Sequence, residues 1–189
     1  MSFFSALEVG EWGRAVSFVD SGQTEAFQER AMYTLAAWAE AQHRAPERHP
    51  DSDPQDTSAQ DSSYKLLLKN YGQTRVPIYP GAPQLAELAS RRSGEFLAQH
   101  FAALAAIQRE GASTIAERVH LESEVIANDT LARVLYRRSP GSTGNESKEA
   151  LTIHLHRTEG DWYLLLNDEI APPNLFVEQR LKEQMRRQP

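Results

Sequence analysis

Cysteine is absent from this chain of 189 residues. Its absence removes disulfides, thiolate nucleophiles and cysteine-based zinc sites. Lysine is scarce too, since 16 of the 20 basic residues are arginine. With abundant alanine, that skew reflects a GC-rich bacterial genome rather than an anion site. The formal net charge of −6 disfavours nonspecific binding to nucleic acid or to anionic membrane, both of which rest on neutralising phosphates. No stretch approaches the roughly 20 apolar residues needed to span a bilayer. The first residues have no basic segment and meet Glu8 before any long apolar run, unlike a secretory signal. The expectation is a cytoplasmic, soluble protein without a cofactor and with neither nucleic acid nor membrane as partner. Metal clusters, a nucleophile elbow and a phosphate loop are missing as well, and no catalytic residue is assigned.

What is present is an ordered succession of patterns over a length that suits one domain. Phe4, Leu7, Trp12, Val16 and Val19 recur at helical spacing, interrupted at Gly10, which predicts two short helical pieces. Ser21-Gly22 then reads as a stop. From Thr24, a candidate N-cap, the stripe Phe27, Ala31, Leu35, Trp38 predicts a helix to about His43. Residues 45–63 hold three prolines and no large apolar side chain, the composition of a mobile surface loop. Residues 64–68 fit a short strand or a helical turn equally. Residues 76–81 carry two X-Pro pairs and are expected to be extended. Pro83 opens a long helical region with a bend near Ser93-Gly94 and an end at Gly111. His100 lies on its apolar stripe, where a backbone or side-chain partner suits it better than catalysis.

The last third reads as strands at 114–127, 131–138, 150–158 and 162–167, with turn dipeptides Asn128-Asp129 and Glu159-Gly160. Closing both hairpins as two-residue turns sets Ile126 opposite Leu131, Glu124 opposite Arg133 and Glu122 opposite Leu135. One face is then apolar, with Val119, Leu121, Val125, Ala132, Val134, Leu151, Ile153, Leu155, Leu164 and Leu166. Ser123, Tyr136 and Arg157 fall on that face too. The other face mixes Ile126, Leu131, Leu135, Tyr163 and Leu165 with charges and with His120, His154 and His156. Two histidines at i, i+2 can hold zinc or nickel, but no third ligand is placed, and a polar strand face is the better reading. The fold expected is α+β: N-terminal helices packed on a curved antiparallel sheet, a single domain over 1–171. An amphipathic helical tail over 172–189 would dock on its own sheet or on a partner's. The mixed face is expected to form a homodimer.

The opening Phe4-Ser5-Ala6-Leu7-Glu8-Val9-Gly10-Glu11-Trp12, the segment 130–136 and the ending 151–166 with Gly160-Asp161-Trp162 resemble the nuclear-transport-factor-2-like superfamily. Ketosteroid isomerases and polyketide cyclases belong to it. The resemblance implies a cone-like domain that dimerises through its outer sheet face and can hold a small apolar ligand. A pocket of that kind would involve the non-apolar residues Glu117, Ser123, Tyr136, Arg138 and Arg157. The usual hairpin between the second and third helices is missing, and the isomerases' Tyr/Asp/Asp sets match no positions here. The function expected is a noncatalytic ligand-binding or protein-interaction module. The alternative is an isomerase-, cyclase- or dehydratase-type enzyme that uses a pocket carboxylate.

Overall fold

A computed structural model of the chain describes residues 3–43, 60–109, 119–126, 128–138, 150–168 and 170–176. Among the described residues six helices precede four strands: α1 (Phe3–Glu8), α2 (Trp12–Val16), α3 (Ser21–His43), α4 (Gln60–Tyr71), α5 (Leu85–Ser90), α6 (Ser93–Arg109), then β1 (Val119–Ile126), β2 (Leu131–Arg138), β3 (Ala150–Thr158) and β4 (Asp161–Leu165). The strands form one antiparallel sheet in the order β1-β2-β3-β4. This is the expected α+β arrangement, with helices first and a meander after them. The sheet is open, with no pairing of β1 to β4.

The break between α1 and α2 falls where Gly10 adopts φ +77, a left-handed conformation that glycine takes without steric penalty. Ser21-Gly22 does not stop the chain. It opens α3, because the Asp20 carboxylate accepts from the amides of Gly22 at 3.0 Å and Gln23 at 3.3 Å and so caps the helix. Thr24 is interior and buried. Residues 60–63, expected in the polar loop, belong to α4, which also decides residues 64–68 in favour of helix. Leu67, Leu68 and Tyr71 of α4 pack against the core. The rest of the 45–63 segment lies outside the described residues. Gly72 ends α4 at a point where a Cβ would come within 2.5 Å of the Leu68 carbonyl, so only glycine fits.

Residues 76–81 are not extended. Tyr79 N–H donates to the Val76 carbonyl at 3.2 Å and Ala82 N–H to the Tyr79 carbonyl at 2.9 Å. Each proline therefore stands second in a tight turn, and Gly81 at φ +81 completes the second one. The chain doubles back, and Val76 N–H reaches the Pro83 carbonyl at 2.9 Å. The long helix from Pro83 is broken rather than bent, with Arg91 in an extended conformation after α5.

The two hairpins differ. Glu159 and Gly160 have φ +55 and +96, and the predicted β3–β4 register follows, with Thr158 opposite Asp161 and Leu155 opposite Leu164. Asn128 and Asp129 have no positive φ. Instead the Asn128 side-chain carbonyl accepts from the amides of Thr130 at 2.9 Å and Leu131 at 2.8 Å, an Asx-type closure. The longer turn pairs Ile126 with Ala132 rather than Leu131, Glu124 with Val134 rather than Arg133, and Ser123 with Leu135. An irregularity between Leu121 and Ser123 restores the expected His120–Arg137 pairing. Residues 114–118 lie outside the described residues.

The core joins both halves. Phe27, Phe101, Val134, Ile153 and Leu164 are buried in one cluster, with Trp12, Trp38 and Leu155 half-buried against it. Backbone bonds tie the halves together: Leu164 N–H donates to Phe18 O at 2.7 Å and Asp20 N–H to Leu164 O at 3.1 Å, so the turn before α3 covers part of the β4 edge.

Candidate functional site

The outer face of the sheet is laid out by the β2–β3–β4 register. Leu131, His156 and Tyr163 form one row across the strands, and Arg133, His154 and Leu165 form the next. Leu135 lies beside Thr152. Alternation along each strand produces this face, because Ala132, Val134, Ile153 and Leu164 take the buried side. Leu131 is 43% exposed. Leu135, Tyr163 and Leu165 are half-buried, and none of the four joins the core cluster. Ile126, expected beside them, is placed by register opposite Ala132, on the core side. Ser123, expected on the core side, is placed opposite Leu135 on the outer one. Ser123, Tyr136 and Arg138 are placed by backbone register alone, and Glu117 lies outside the described residues. Arg157 is exposed at the hairpin end. Its Nε–H donates to the Gly160 carbonyl at 3.1 Å, and its guanidinium lies 5.8 Å from the centre of the Trp162 ring. Of the five candidate pocket residues, it is the one whose side chain is described.

Next to the outer face opens a groove of about 550 Å³ that sequence reasoning did not find. Val16, Val19, Asp20 and Thr24 line one wall, and Thr158, Glu159 and Tyr163 the other. Its walls come from residues more than a hundred positions apart, so no local motif could announce it. Asp20 is its most connected side chain. One carboxylate oxygen caps α3, and the other lies 3.9 Å from His156 Nδ1, whose neighbour on the other side is the Thr158 hydroxyl at 3.3 Å. Among the described residues, no group of three or more His, Asp or Glu side chains could hold a metal ion.

The third cluster is interior. His100 on α6 is fully buried. Its Nε2 lies 2.9 Å from the Pro172 carbonyl and its Nδ1 2.8 Å from the Tyr79 hydroxyl. A carbonyl only accepts, so Nε2 carries the hydrogen and the Tyr79 O–H donates to Nδ1. The ring stands edge-on to Phe27 at 4.7 Å between centroids. Burial lowers its pKa from 6.5 to about 4, against the pull of the Pro172 bond, and burial also raises that of the Tyr79 hydroxyl. The histidine has both a backbone and a side-chain partner. Fully buried, it serves as a neutral tie between the turn and the segment after β4. The buried polar side chains whose burial is described are this histidine and Thr24, while the register sets Glu124 opposite the buried Val134, on the core side of the sheet.

Among the described residues no helix is long and apolar enough to cross a membrane. No family model, no curated protein and no solved structure matches the chain.

Proposed function

We propose that this chain is a noncatalytic interaction module of the cone-like, nuclear-transport-factor-2-like kind, and that it forms a homodimer through the outer face of its sheet. The observation that carries the reading is the composition of that face. A solvated antiparallel face alternates to polar residues throughout. This one sets Leu131 and Leu135 of β2 and Tyr163 and Leu165 of β4 on either side of a polar column, Thr152, His154 and His156 of β3, a mixture of apolar and polar side chains of the kind interfaces use. A second copy suits it because a two-fold contact needs one self-complementary patch only.

The isomerase-type alternative stands beside this reading, since the register sets Glu124 opposite the buried Val134, on the core side of the sheet. That alternative needs a base whose pKa is raised by burial. The groove beside Tyr163 has room for a small molecule, and because Tyr163 also lies on the outer face, occupancy of one could influence the other.

Sedimentation at tens of micromolar and neutral pH tests the dimer. The wild type is expected to sediment as a dimer, and Leu135→Glu and Leu165→Glu as monomers with unchanged helical circular dichroism. A monomeric wild type, or two variants that remain dimeric, would overturn the reading.

A further inference from the structure

The residues that follow β4 return across the helices as a strap. Asp168 meets Arg30 at 3.2 Å on the surface. Ile170, Ala171 and Leu175 are buried. Phe176 stacks on Trp38 of α3 at 4.3 Å with 12° between the rings. The start of the C-terminal tail therefore docks on the chain's own helices, not on either of the sheet surfaces expected from sequence. Between these anchors lie Pro172 and Pro173, which have no N–H to donate. Their carbonyls are held instead by side chains, Pro172 by His100 Nε2 at 2.9 Å and Pro173 by the Thr34 hydroxyl at 3.1 Å. That hydroxyl is shared with the Ala31 carbonyl at 2.8 Å, so the His100 bond is the undivided one.

We propose that the strap of residues 170–176 is an acid-operated latch, closed by the neutral His100 ring and released when that ring takes up a proton. The neutral ring satisfies both partners at once. A proton on Nδ1 turns an acceptor into a donor. The Tyr79 oxygen can rotate to accept it, but its own hydrogen is then left without a partner in the interior. Among the described residues no carboxylate bonds to the ring. Among the described residues α3 faces the ring with Phe27, α6 with Phe96, the turn before α5 with Tyr79 and the strap with the Pro172 carbonyl. Tyr79 is the titratable group in contact with it.

Hydration of the cation requires one of these neighbours to move. The turn carrying Tyr79 is closed on itself by backbone bonds from Val76 N–H to Pro83 O, Tyr79 N–H to Val76 O and Leu85 N–H to Thr74 O. Phe27 and Phe96 are fixed within helices. Among the described residues the strap has no backbone–backbone bond to the helices in which His100, Phe27 and Phe96 lie. It is held there by the side-chain bonds of His100 and Thr34 and by its buried apolar residues, so it is the element we assign to lift. Its opened population rises by up to about 300-fold as pH falls from the open-ring value of 6.5 to the closed-ring value of about 4.

Hydrogen exchange on the full chain reads this opening. The amides of Ile170 and Ala171 both donate to Asn167. Their protection, corrected for intrinsic exchange, is expected to fall about tenfold per pH unit below 6.5, while the α6 amides keep theirs. His100→Gln retains a donor for Pro172 but cannot titrate, and its protection is expected to be flat with pH. The proposal is overturned if the wild-type protection is independent of pH, if His100→Gln shows the same slope, or if the α6 amides are lost in step with Ala171. Should His100→Gln fail to fold, Tyr79→Phe carries the test. It keeps the titrating ring and removes the hydroxyl that stabilises its neutral form, so the loss of protection shrinks; an undiminished loss overturns the latch.

Discussion

The helical half and the sheet use their apolar residues in opposite ways. With His100 the helical half buries Phe27, Phe96, Tyr79, Leu85, Leu88 and Leu97, all at most 2% exposed. The sheet buries one face only, through Ala132, Val134, Ile153 and Leu164, and leaves leucines and a tyrosine on the other. Rings closed in on every side have no room to relax when one is removed, whereas a strand face open on one side can adjust. Stability should therefore concentrate in the helices and surface properties in the sheet. The largest effect that can break this contrast is Phe27→Ala. The residue is 1% exposed and packs against both Phe96 and His100. Its removal is expected to cost about 3–5 kcal/mol in urea unfolding. A loss below about 1 kcal/mol would show that the helical core is loosely packed.

The same interior makes stability depend on pH, and the sign follows from linkage. His100 binds its proton at about 4 in the folded chain and at about 6.5 when unfolded. Between those values the unfolded state holds more protons, so stability rises with pH. It is complete above 6.5 and is lost as pH falls toward 4. Over that window the loss amounts to about 3 kcal/mol at most, and less where the strap opens first and lets the ring hydrate. Urea midpoints at pH 7 and pH 4.5 measure it, with His100→Gln as reference. An equal acid loss in the variant would move the cause to other groups.

Sequence carried some of this architecture and not the rest, for reasons visible in particular residues. The β3–β4 hairpin was legible because Glu159-Gly160 tolerates positive φ at both positions, which dictates both turn and register. The β1–β2 turn looked alike on paper, yet the Asn128 carboxamide closes it differently. One extra residue in the loop then exchanges the faces of Ser123 and Ile126. The beginning of α4 was hidden by composition, since serine, aspartate and glutamine also make loops. What commits the segment to helix is Leu67, Leu68 and Tyr71 packing on the core further along the chain. The start of α3 was misread because an aspartate cap ahead of Ser-Gly resembles a turn. The groove, and the partners of His100, depend on contacts between residues 16–24 and 158–163, and between 79, 100 and 172. No local pattern encodes such contacts. The outer-face leucines were legible because strand alternation alone assigns them.

The smallest expected effect sharpens the contrast from the sheet side. Leu131 heads β2 opposite His156 and is 43% exposed. Threonine there introduces a β-branched residue of good strand propensity and removes apolar surface that the fold does not bury. Leu131→Thr is therefore expected to change the unfolding free energy by less than about 0.5 kcal/mol at low protein concentration, where association contributes little. A loss of about 2 kcal/mol would mean that this leucine is buried in the folded state. A partner copy dissociating on dilution separates the two causes. A loss that fades at low concentration places Leu131 at an interface between copies, and one that persists gives the outer face a buried contact within the chain itself.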